Sequence, residues 1–209
     1  ELAKVDASHS ITVGAHTSLA AAPIHDFGTP EQLDRWLPAM ARGESLGAFG
    51  LTEATSGSDA GSMATTAVRD GEDWVLNGTK VFITNAGVAG TYVVAAVTDP
   101  DSERGGVSMF VLEKGMDGLR AGKKEDKLGW RASDTRELVM EDVRVPAENL
   151  LGEEGRGFVQ ALHTLNGGRI GVAAHALGIA EGAYEASRDY ALDREQFGRP
   201  IAEFQAIQF

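Results

Sequence analysis

The sequence contains no cysteine, which excludes disulfide bonds and any thiolate chemistry. Basic residues are scarce: 19 lysines and arginines stand against 31 acidic residues, giving a formal net charge of −12. A surface this acidic repels phosphate backbones and anionic membrane faces, so we expect no nucleic acid partner. No apolar run approaches the roughly 20 residues that a membrane-spanning helix needs.

The spacing typical of metal ligands is missing as well. No histidines fall in a motif such as His-Glu-x-x-His, so we expect no metal site. The five histidines are His9, His16, His25, His163 and His175.

The chain is long enough to fold around a sizeable core. Its 209 residues are 43% hydrophobic, which suits one large or two small cores. It opens at Glu1 in helix-like sequence without a methionine, and it ends at Phe209 inside another helical pattern. We therefore expect an internal piece of a longer protein, so the sequence leaves its targeting signals open.

Residues 1–45 are predicted to be helical. The clearest helix follows Thr29, which can cap it, with Pro30 in the first helical position and Gln32 completing a capping box. Gly43 is the predicted stop. One apolar face, with spacing i, i+3, i+4 and i+7, is formed by Leu33, Trp36, Leu37 and Met40.

Residues 46–150 change to short β-type runs separated by turn residues. Asp70-Gly71 and Asn77-Gly78 are both hairpin signals, because these dipeptides favour positive φ. No connection is long enough for a crossover helix, so we predict a mainly antiparallel sheet in a compact barrel or sandwich. The strand candidates lie within residues 67–87, 91–99, 106–114, 119–125 and 136–146.

Residues 151–209 return to helical spacing. Gly167-Gly168 interrupts the pattern with small residues that allow close approach of another helix or a ligand. "FGRP" is predicted to break the helix, and "IAEFQAIQF" begins another. The order helix, sheet, helix predicts an α+β multidomain fold with domains at 1–45, 46–150 and 151–209. The periodic apolar positions are Phe158, Leu162, Leu165, Val172, Ala176 and Ile179.

One loop, "GLTEATSGSDAGS" at 50–62, is rich in small and hydroxyl-bearing residues. Such a loop lets backbone N–H groups approach an anion, so it suits a pyrophosphate or the polar edge of a ring cofactor. Neither usual phosphate-loop fingerprint is met. From residue types alone, a solvated surface loop is the favoured interpretation.

Further stretches change that interpretation when they are taken together. The loop is followed by "LNGTKVFITNAG", "KLGWRASDTRELVMEDVRVP" and "LNGGRIGVAAHALGIAEGAYEASRDYALDREQFGRPIAEFQAIQF". In this order and spacing they resemble the acyl-CoA dehydrogenase family of flavoproteins along essentially the whole chain. The resemblance implies three domains around FAD and a fatty acyl-CoA: helical, β and helical. This chain would hold the end of the first, all of the second and the start of the third.

The resemblance implies that Phe49 to Thr52 lies along the flavin ring. The backbone N–H of Leu51 and the backbone and hydroxyl of Thr52 would reach the pyrimidine edge. Donors there stabilise the negative charge that develops as the ring accepts a hydride. Gly57 and Ser58 would approach the FAD pyrophosphate, with Ser58 also near the acyl-CoA.

Four further positions carry over from the same motifs. Phe82 would pack on the flavin and Thr84 would hydrogen-bond near N5. Many relatives have Trp in place of Phe82, so this chain keeps a flat face there but lacks the indole N–H. Asn166 and Arg169 would contact the CoA portion, although many relatives have Asp in place of Asn166.

The stretch "REQFGRPIAEFQ" resembles a segment that crosses a subunit boundary. Arg194 would lie near the pyrophosphate of the neighbour's FAD and Phe197 near its adenine, with Gln196 and Gln205 also contributing. The implied assembly is a homo-oligomer, a tetramer built as a dimer of dimers.

The catalytic base is not expected in this chain. In the family a glutamate removes the α-proton, and in a minority of members it immediately precedes the arginine matching Arg169. That position here is Gly168, which carries no proton, so we expect the base beyond Phe209 and name no catalytic residue. Glu181 and Glu185 have the pattern of ordinary helix-surface carboxylates.

The implied activity is FAD-dependent oxidation of an acyl-CoA to the 2,3-enoyl-CoA, with electrons passing to an electron-transfer flavoprotein. Two alternatives stay open: an acyl-CoA oxidase that uses O2, and a family member that keeps the flavin site but serves in binding or assembly. The expected location is the bacterial cytoplasm, or the mitochondrial matrix in a eukaryote. Acyl chain length, branching and the physiological acceptor are left open.

Overall fold

The computed structural model describes residues 1–102 and 106–209, with helices at both ends of the chain and a sheet between them. The helices are α1 (Leu2–Val5), α2 (Ala7–Gly14), α3 (Ala22–Phe27), α4 (Pro30–Ala41), α5 (Gly157–Asp193) and α6 (Gln205–Gln208). A π-helix, Ala15–Ala21, joins α2 to α3, and three short 3-10 turns occur at Ala60–Ser62, Ala147–Asn149 and Ile201–Glu203. The strands are β1 (Gly47–Gly50), β2 (Thr66–Asp70), β3 (Asp73–Thr84), β4 (Thr91–Val97), β5 (Val107–Glu113), β6 (Leu119–Lys124), β7 (Thr135–Val145), β8 (Leu150–Leu151), β9 (Glu195–Gln196) and β10 (Arg199–Pro200).

Helix α4 begins and ends where its sequence signals predict. The Thr29 hydroxyl accepts from the Gln32 N–H at 3.3 Å, and the Gln32 side-chain oxygen accepts from the Thr29 N–H at 3.0 Å. These two bonds form the predicted capping box. Gly43 follows the helix with φ +71°, a conformation that favours glycine.

The sheet is mainly antiparallel, as predicted. Its strands follow the order β6-β7-β3-β2-β4-β5-β8, and β1 lies beside β4. The pairs β1–β4 and β2–β4 are parallel, and the other pairs are antiparallel. The sheet does not close, so it is barrel-like only loosely. Instead, the sheet curves so that the half containing β3 faces the half containing β5. The rings of Trp74 on β3 and Phe110 on β5 lie with their centroids 5.4 Å apart.

One of the two predicted hairpin turns is correct. Asp70-Gly71 joins β2 to β3, and Gly71 has φ +66°. The prediction for Asn77-Gly78 is wrong, because both residues lie inside β3.

The reason lies in the neighbours of this stretch of β3. The Asn77 side chain exchanges two 2.9 Å hydrogen bonds with Asp142 of β7. These bonds hold β3 against β7, so β3 continues through Asn77 instead of turning. Gly78, at φ +149°, marks a register shift against β7, and a Cβ there would lie 2.4 Å from the Thr65 hydroxyl. The glycine therefore makes room for a neighbouring segment instead of turning the chain.

Two apolar cores lie on opposite faces of the sheet. One fills the space between the halves of the sheet, and the other lies between the outer face and helices α3 and α4. Strand β4 serves both, since Val94 faces the first core while Val93 faces the second. A strand buried on both faces explains the unbroken apolar run "YVVAAV".

Helix α5 is continuous despite Gly167-Gly168. Its small residues permit close packing: a Cβ at Gly178 would lie 2.9 Å from the Ala3 side chain, and one at Gly182 would lie 2.5 Å from the Lys4 carbonyl. The helix ends at Asp193, four residues before the predicted break at "FGRP", where Phe197 and Gly198 instead form the turn of the β9–β10 hairpin. Within the two described ranges, no helix has both the length and the apolarity to cross a membrane.

Candidate functional site

A cleft of about 170 Å³ lies where β1, β3, the π-helix and α5 meet. Five residues singled out in the sequence line it together, from two separate motifs. The complete lining is Ala15, Leu19, Phe49, Leu51, Thr52, Phe82, Ile83, Thr84 and Leu165.

Backbone pairing holds the two motifs side by side. Strand β1 runs parallel to β4, and the buried Leu51 follows directly after it. The Thr52 carbonyl then accepts from the Val81 N–H at 2.8 Å, which ties this segment to β3. Since β3 carries Phe82 and Thr84 immediately afterwards, both sides of the cleft are set by this connection.

Phe82 stands out from its strand. It has φ +59° at a register shift between β3 and β7, and 66% of it is exposed. A bulky residue in this conformation stores strain of about 1–3 kcal/mol, a feature found at ligand clamps. The phenyl ring is therefore presented to the cleft and solvent instead of the core.

The hydroxyls of Thr52 and Thr84 have no hydrogen-bond partner among the described residues, and both residues are half-buried. Around them the cleft is aliphatic or aromatic. The arrangement suits a flat ligand with a polar edge, because such a ligand satisfies both hydroxyls while its ring meets apolar walls.

The cleft adjoins a larger cavity of about 870 Å³ between α2, the π-helix and α5. The two share Ala15, Leu19, Thr84 and Leu165. Gly168 and Arg169 also line the larger cavity, and the Arg169 guanidinium donates to the Asn166 side-chain oxygen at 2.6 Å.

Among the described residues that line this cavity, the one carboxylate is Glu1. Glu181 and Glu185 point elsewhere: their carboxylates lie 3.6 and 2.5 Å from the Lys4 ammonium. Helix α5 thus brings no carboxylate to this cavity. In the same described ranges, no group of three or more acidic or histidine side chains could hold a metal ion.

His175 is a lining residue that the sequence analysis did not single out. Its ring is buried, with Nδ1 3.0 Å from the Ser10 hydroxyl and Trp130 edge-on at 5.3 Å. Its Nε2 has no partner in the described part of the chain. The available signal was helical spacing, since His175 lies two turns after Gly168 on the same face of α5.

A buried ion pair lies behind the cleft and was also missed. The Lys80 ammonium is 2.7 Å from the Glu53 carboxylate, and neither side chain is more than 6% exposed. Burial acts to raise the pKa of Glu53, but hydrogen bonds to Lys80 and to residues 64 and 65 outweigh it and hold that pKa below its usual value. Glu53 is therefore ionised at neutral pH. The signal for Lys80 was strand alternation, which places it on the buried side with Trp74 and Leu76.

The remaining predicted residues lie outside the cleft. Gly57 and Ser58 are exposed on the loop that follows it. Arg194, Gln196, Phe197 and Gln205 are exposed at the other end of α5, whose stretch from Leu165 to Asp193 is about 42 Å long at about 1.5 Å per residue. The structure thus places the candidates in the cleft, beside the larger cavity, on the exposed 57–58 loop and in a distant group after α5. We call this last group, Arg194, Gln196, Phe197 and Gln205, the hairpin group.

Comparisons with known proteins show the family of the chain. Family models match the N-terminal domain of acyl-CoA dehydrogenase at residues 1–44, the middle domain at 48–143 and the C-terminal domain at 155–209. The short-chain specific acyl-CoA dehydrogenase of Clostridium acetobutylicum is 51% identical over 207 residues, which cover 99% of this chain and 55% of that protein. The chain belongs to the acyl-CoA dehydrogenase family.

Solved structures of the family share its backbone. Butyryl-CoA dehydrogenase from Megasphaera elsdenii superposes with a TM-score of 0.98 at 51% identity, covering all of this chain and 55% of that one. A chain in a structure of the electron transferring flavoprotein of Acidaminococcus fermentans gives 0.98 at 56% identity, with the same coverage. The chain spans about 55% of the length of these acyl-CoA dehydrogenase relatives.

Proposed function

We propose that this chain is part of an FAD-dependent acyl-CoA dehydrogenase that converts a short-chain acyl-CoA to the 2,3-enoyl-CoA. One observation carries the proposal: two separate motifs converge on a single cleft that adjoins a large, mainly apolar cavity beside α5. The short chain is supported by relatives whose names specify short-chain or butyryl substrates.

The residues of the cleft fit the flavin of FAD. Phe49 and Phe82 offer aromatic surface, and the free hydroxyls of Thr52 and Thr84 are donors that a heteroaromatic ring can use. When bound, FAD supplies the hydride acceptor. Related structures with FAD or FADH2 support this choice of cofactor.

The chain's own groups would orient the reactants. Leu51 and Thr52 would present donors to the pyrimidine edge, and Phe82 would cover the ring. Preorganised donors in a water-poor cleft stabilise developing negative charge without reorganising during the reaction. Gly57 and Ser58 would receive the pyrophosphate on their exposed loop.

The larger cavity would take the acyl-CoA. Leu165 and Gly168 give it an apolar, open wall, and Arg169 supplies a cation for CoA while Asn166 holds its guanidinium. The glutamate that removes the α-proton would come from a part of the protein beyond this chain.

The separated hairpin group supports the proposal of an oligomer. Arg194 and Phe197 lie too far along α5 to contact the ring held by Thr52 of their own chain, so they would serve the FAD of a second copy. We propose a homotetramer that passes electrons to an electron-transfer flavoprotein, with domains divided near residues 45 and 150. Bacterial relatives at 50% identity or more support the bacterial cytoplasm as its location, and mitochondrial relatives also occur.

The cofactor can be tested directly. Acid release from the full-length protein, followed by chromatography, is expected to yield FAD. The adenine-side residues 194–197 and the pyrophosphate loop at 57–58 motivate FAD over FMN, which would leave the hairpin group without a ligand. Recovery of FMN alone would contradict the proposal.

The electron acceptor separates the alternatives. Anaerobic butyryl-CoA should bleach the flavin, and slow reoxidation in air would favour a dehydrogenase over an oxidase. A member that only binds flavin would show no bleaching. An amino acid without a carboxylate at the family's base position would also support that alternative.

The hydroxyl of Thr52 gives a prediction for the chemical step. Thr52→Val keeps the shape and the backbone N–H but removes the donor, so flavin reduction by acyl-CoA should slow by about 5- to 150-fold, equivalent to about 1–3 kcal/mol. Cofactor content should be unchanged and the flavin potential should fall, because a contact that strengthens with negative charge acts on the reduced state.

Stopped-flow reduction of the full-length variant measures this effect. The matched control is Thr66→Val, at an exposed position on β2 outside the cleft, which should leave the rate unchanged. Equal rates and potentials in Thr52→Val and the wild type would remove Thr52 from the flavin edge.

A further inference from the structure

The Lys80–Glu53 ion pair connects the parts of the candidate flavin site. The Lys80 ammonium donates to the Leu51 carbonyl at 3.2 Å and to the Glu53 carboxylate at 2.7 Å. Leu51 lines the cleft, and Glu53 follows it by two residues. The same ammonium is thus bound on one side to the cleft wall and on the other to the start of the 53–65 loop.

Glu53 holds the two ends of that loop together. Its carboxylate oxygens accept from the backbone N–H groups of Ala64 at 2.6 Å and Thr65 at 3.0 Å. Its own backbone exchanges hydrogen bonds of 2.9 and 3.1 Å with Ser56. Gly57 and Ser58, the candidate pyrophosphate residues, lie inside the loop that these bonds close.

Among the described residues, neither partner of the Lys80–Glu53 ion pair forms a salt bridge with a third side chain. Their other close polar neighbours are the Leu51 carbonyl, the Met63 sulfur and the N–H groups of residues 64 and 65. Removing either partner therefore leaves an uncompensated charge beside the cleft.

We propose that Lys80 and Glu53 are positioning residues that set the flavin potential, an inference that rests on the proposed function. The pair holds the Leu51–Thr52 edge and the 57–58 loop in one fixed arrangement. Because its two charges cancel, it adds no net charge beside them. A lone carboxylate there would oppose the negative charge of the reduced flavin, and a lone ammonium would favour it.

Three variants of the full-length protein test this role: Lys80→Met, Glu53→Gln and the double variant. Potentials are compared with the wild type at pH 6 and at pH 9. An unpaired buried carboxylate has a raised pKa, so it is charged mainly at high pH, whereas an unpaired buried lysine has a lowered pKa and is charged mainly at low pH.

Lys80→Met should therefore lower the flavin potential, most strongly at pH 9. Glu53→Gln should raise it, most strongly at pH 6. We expect the relative affinity for reduced and oxidised cofactor to change by about tenfold in each case, which is about 30 mV for a two-electron couple. The double variant should lie near the wild type at both pH values, because it holds no buried charge.

The opposite signs distinguish electrostatic positioning from mere structural support, since a purely structural pair would shift both single variants in the same direction. Lys4→Met is the control, because it removes an ion-paired lysine that does not line the cleft. If Lys80→Met does not fold, Glu53→Gln and the double variant still give the comparison.

Two failures can be told apart. A wild-type protein that binds no FAD contradicts the proposed function and this inference with it. FAD bound normally, with equal potentials or with shifts of the same sign in both single variants, contradicts the role of the ion pair alone.

Discussion

Replacing Trp74 with alanine is expected to lower the apparent free energy of unfolding by about 3–5 kcal/mol. Trp74 is 2% exposed in the core between the halves of the sheet, where its ring meets Phe110. Because the open sheet is held together by this core, a cavity at Trp74 removes contacts from both halves at once.

Trp74→Phe should cost much less than Trp74→Ala. The indole N–H is buried without a partner in the described ranges, so phenylalanine keeps an aromatic ring and removes an unsatisfied donor. Val68→Ala on the adjacent strand is the control, since 62% of Val68 is exposed. Urea unfolding followed by far-UV circular dichroism measures all three. A cost below about 1 kcal/mol for Trp74→Ala would contradict the role of this core.

Replacing Arg194 with alanine is expected to weaken FAD binding by about 10- to 150-fold, equivalent to about 1.5–3 kcal/mol for a charge-assisted contact. The Arg194 guanidinium makes no ion pair with the described residues and lies on the exposed hairpin after α5. Its proposed partner is the pyrophosphate of FAD in a second subunit, so the effect depends on assembly.

Arg188→Ala is the matched control on α5. Arg188 is exposed and pairs with Asp189 at 2.7 Å, so its loss should leave FAD affinity unchanged. Titration of the apoprotein with FAD, together with light scattering, measures affinity and assembly. A monomer that binds FAD as tightly as the oligomer would contradict the shared site.

Local signals were sufficient where neighbouring residues decide the outcome. The capping box at Thr29 and the turn at Gly71 both depend on hydrogen bonds and dihedral angles within a few residues. The apolar run of β4 also predicted a strand, because a strand buried on two faces needs apolar residues at every position.

Asn77-Gly78 shows where local signals fail. The dipeptide favours a turn, but Asp142 on β7 bonds to Asn77, and Thr65 needs the space that Gly78 leaves. Both partners are distant in sequence, so the propensity of the dipeptide was overridden by tertiary contacts.

The residues of the candidate site also divide into those that the sequence predicted and those that it missed. The motif resemblance nominated Phe49, Thr52 and Thr84, and the structure brings them to one cleft. Lys80 and His175 were missed, since the types lysine and histidine usually indicate exposed or ordinary polar positions. Their burial depends on segments far away in the chain, including Glu53 and Ser10.

The sequence by itself determined the family, the order of helix, sheet and helix, and which residues belong to each motif, because these follow from residue types at fixed spacing. Only the tertiary structure decided that the sheet stays open, that Phe82 takes a strained outward conformation, and that Lys80 is buried against Glu53. These features depend on which distant segments compete for the same space and charge, and pairwise spacing along a chain contains no information on that competition.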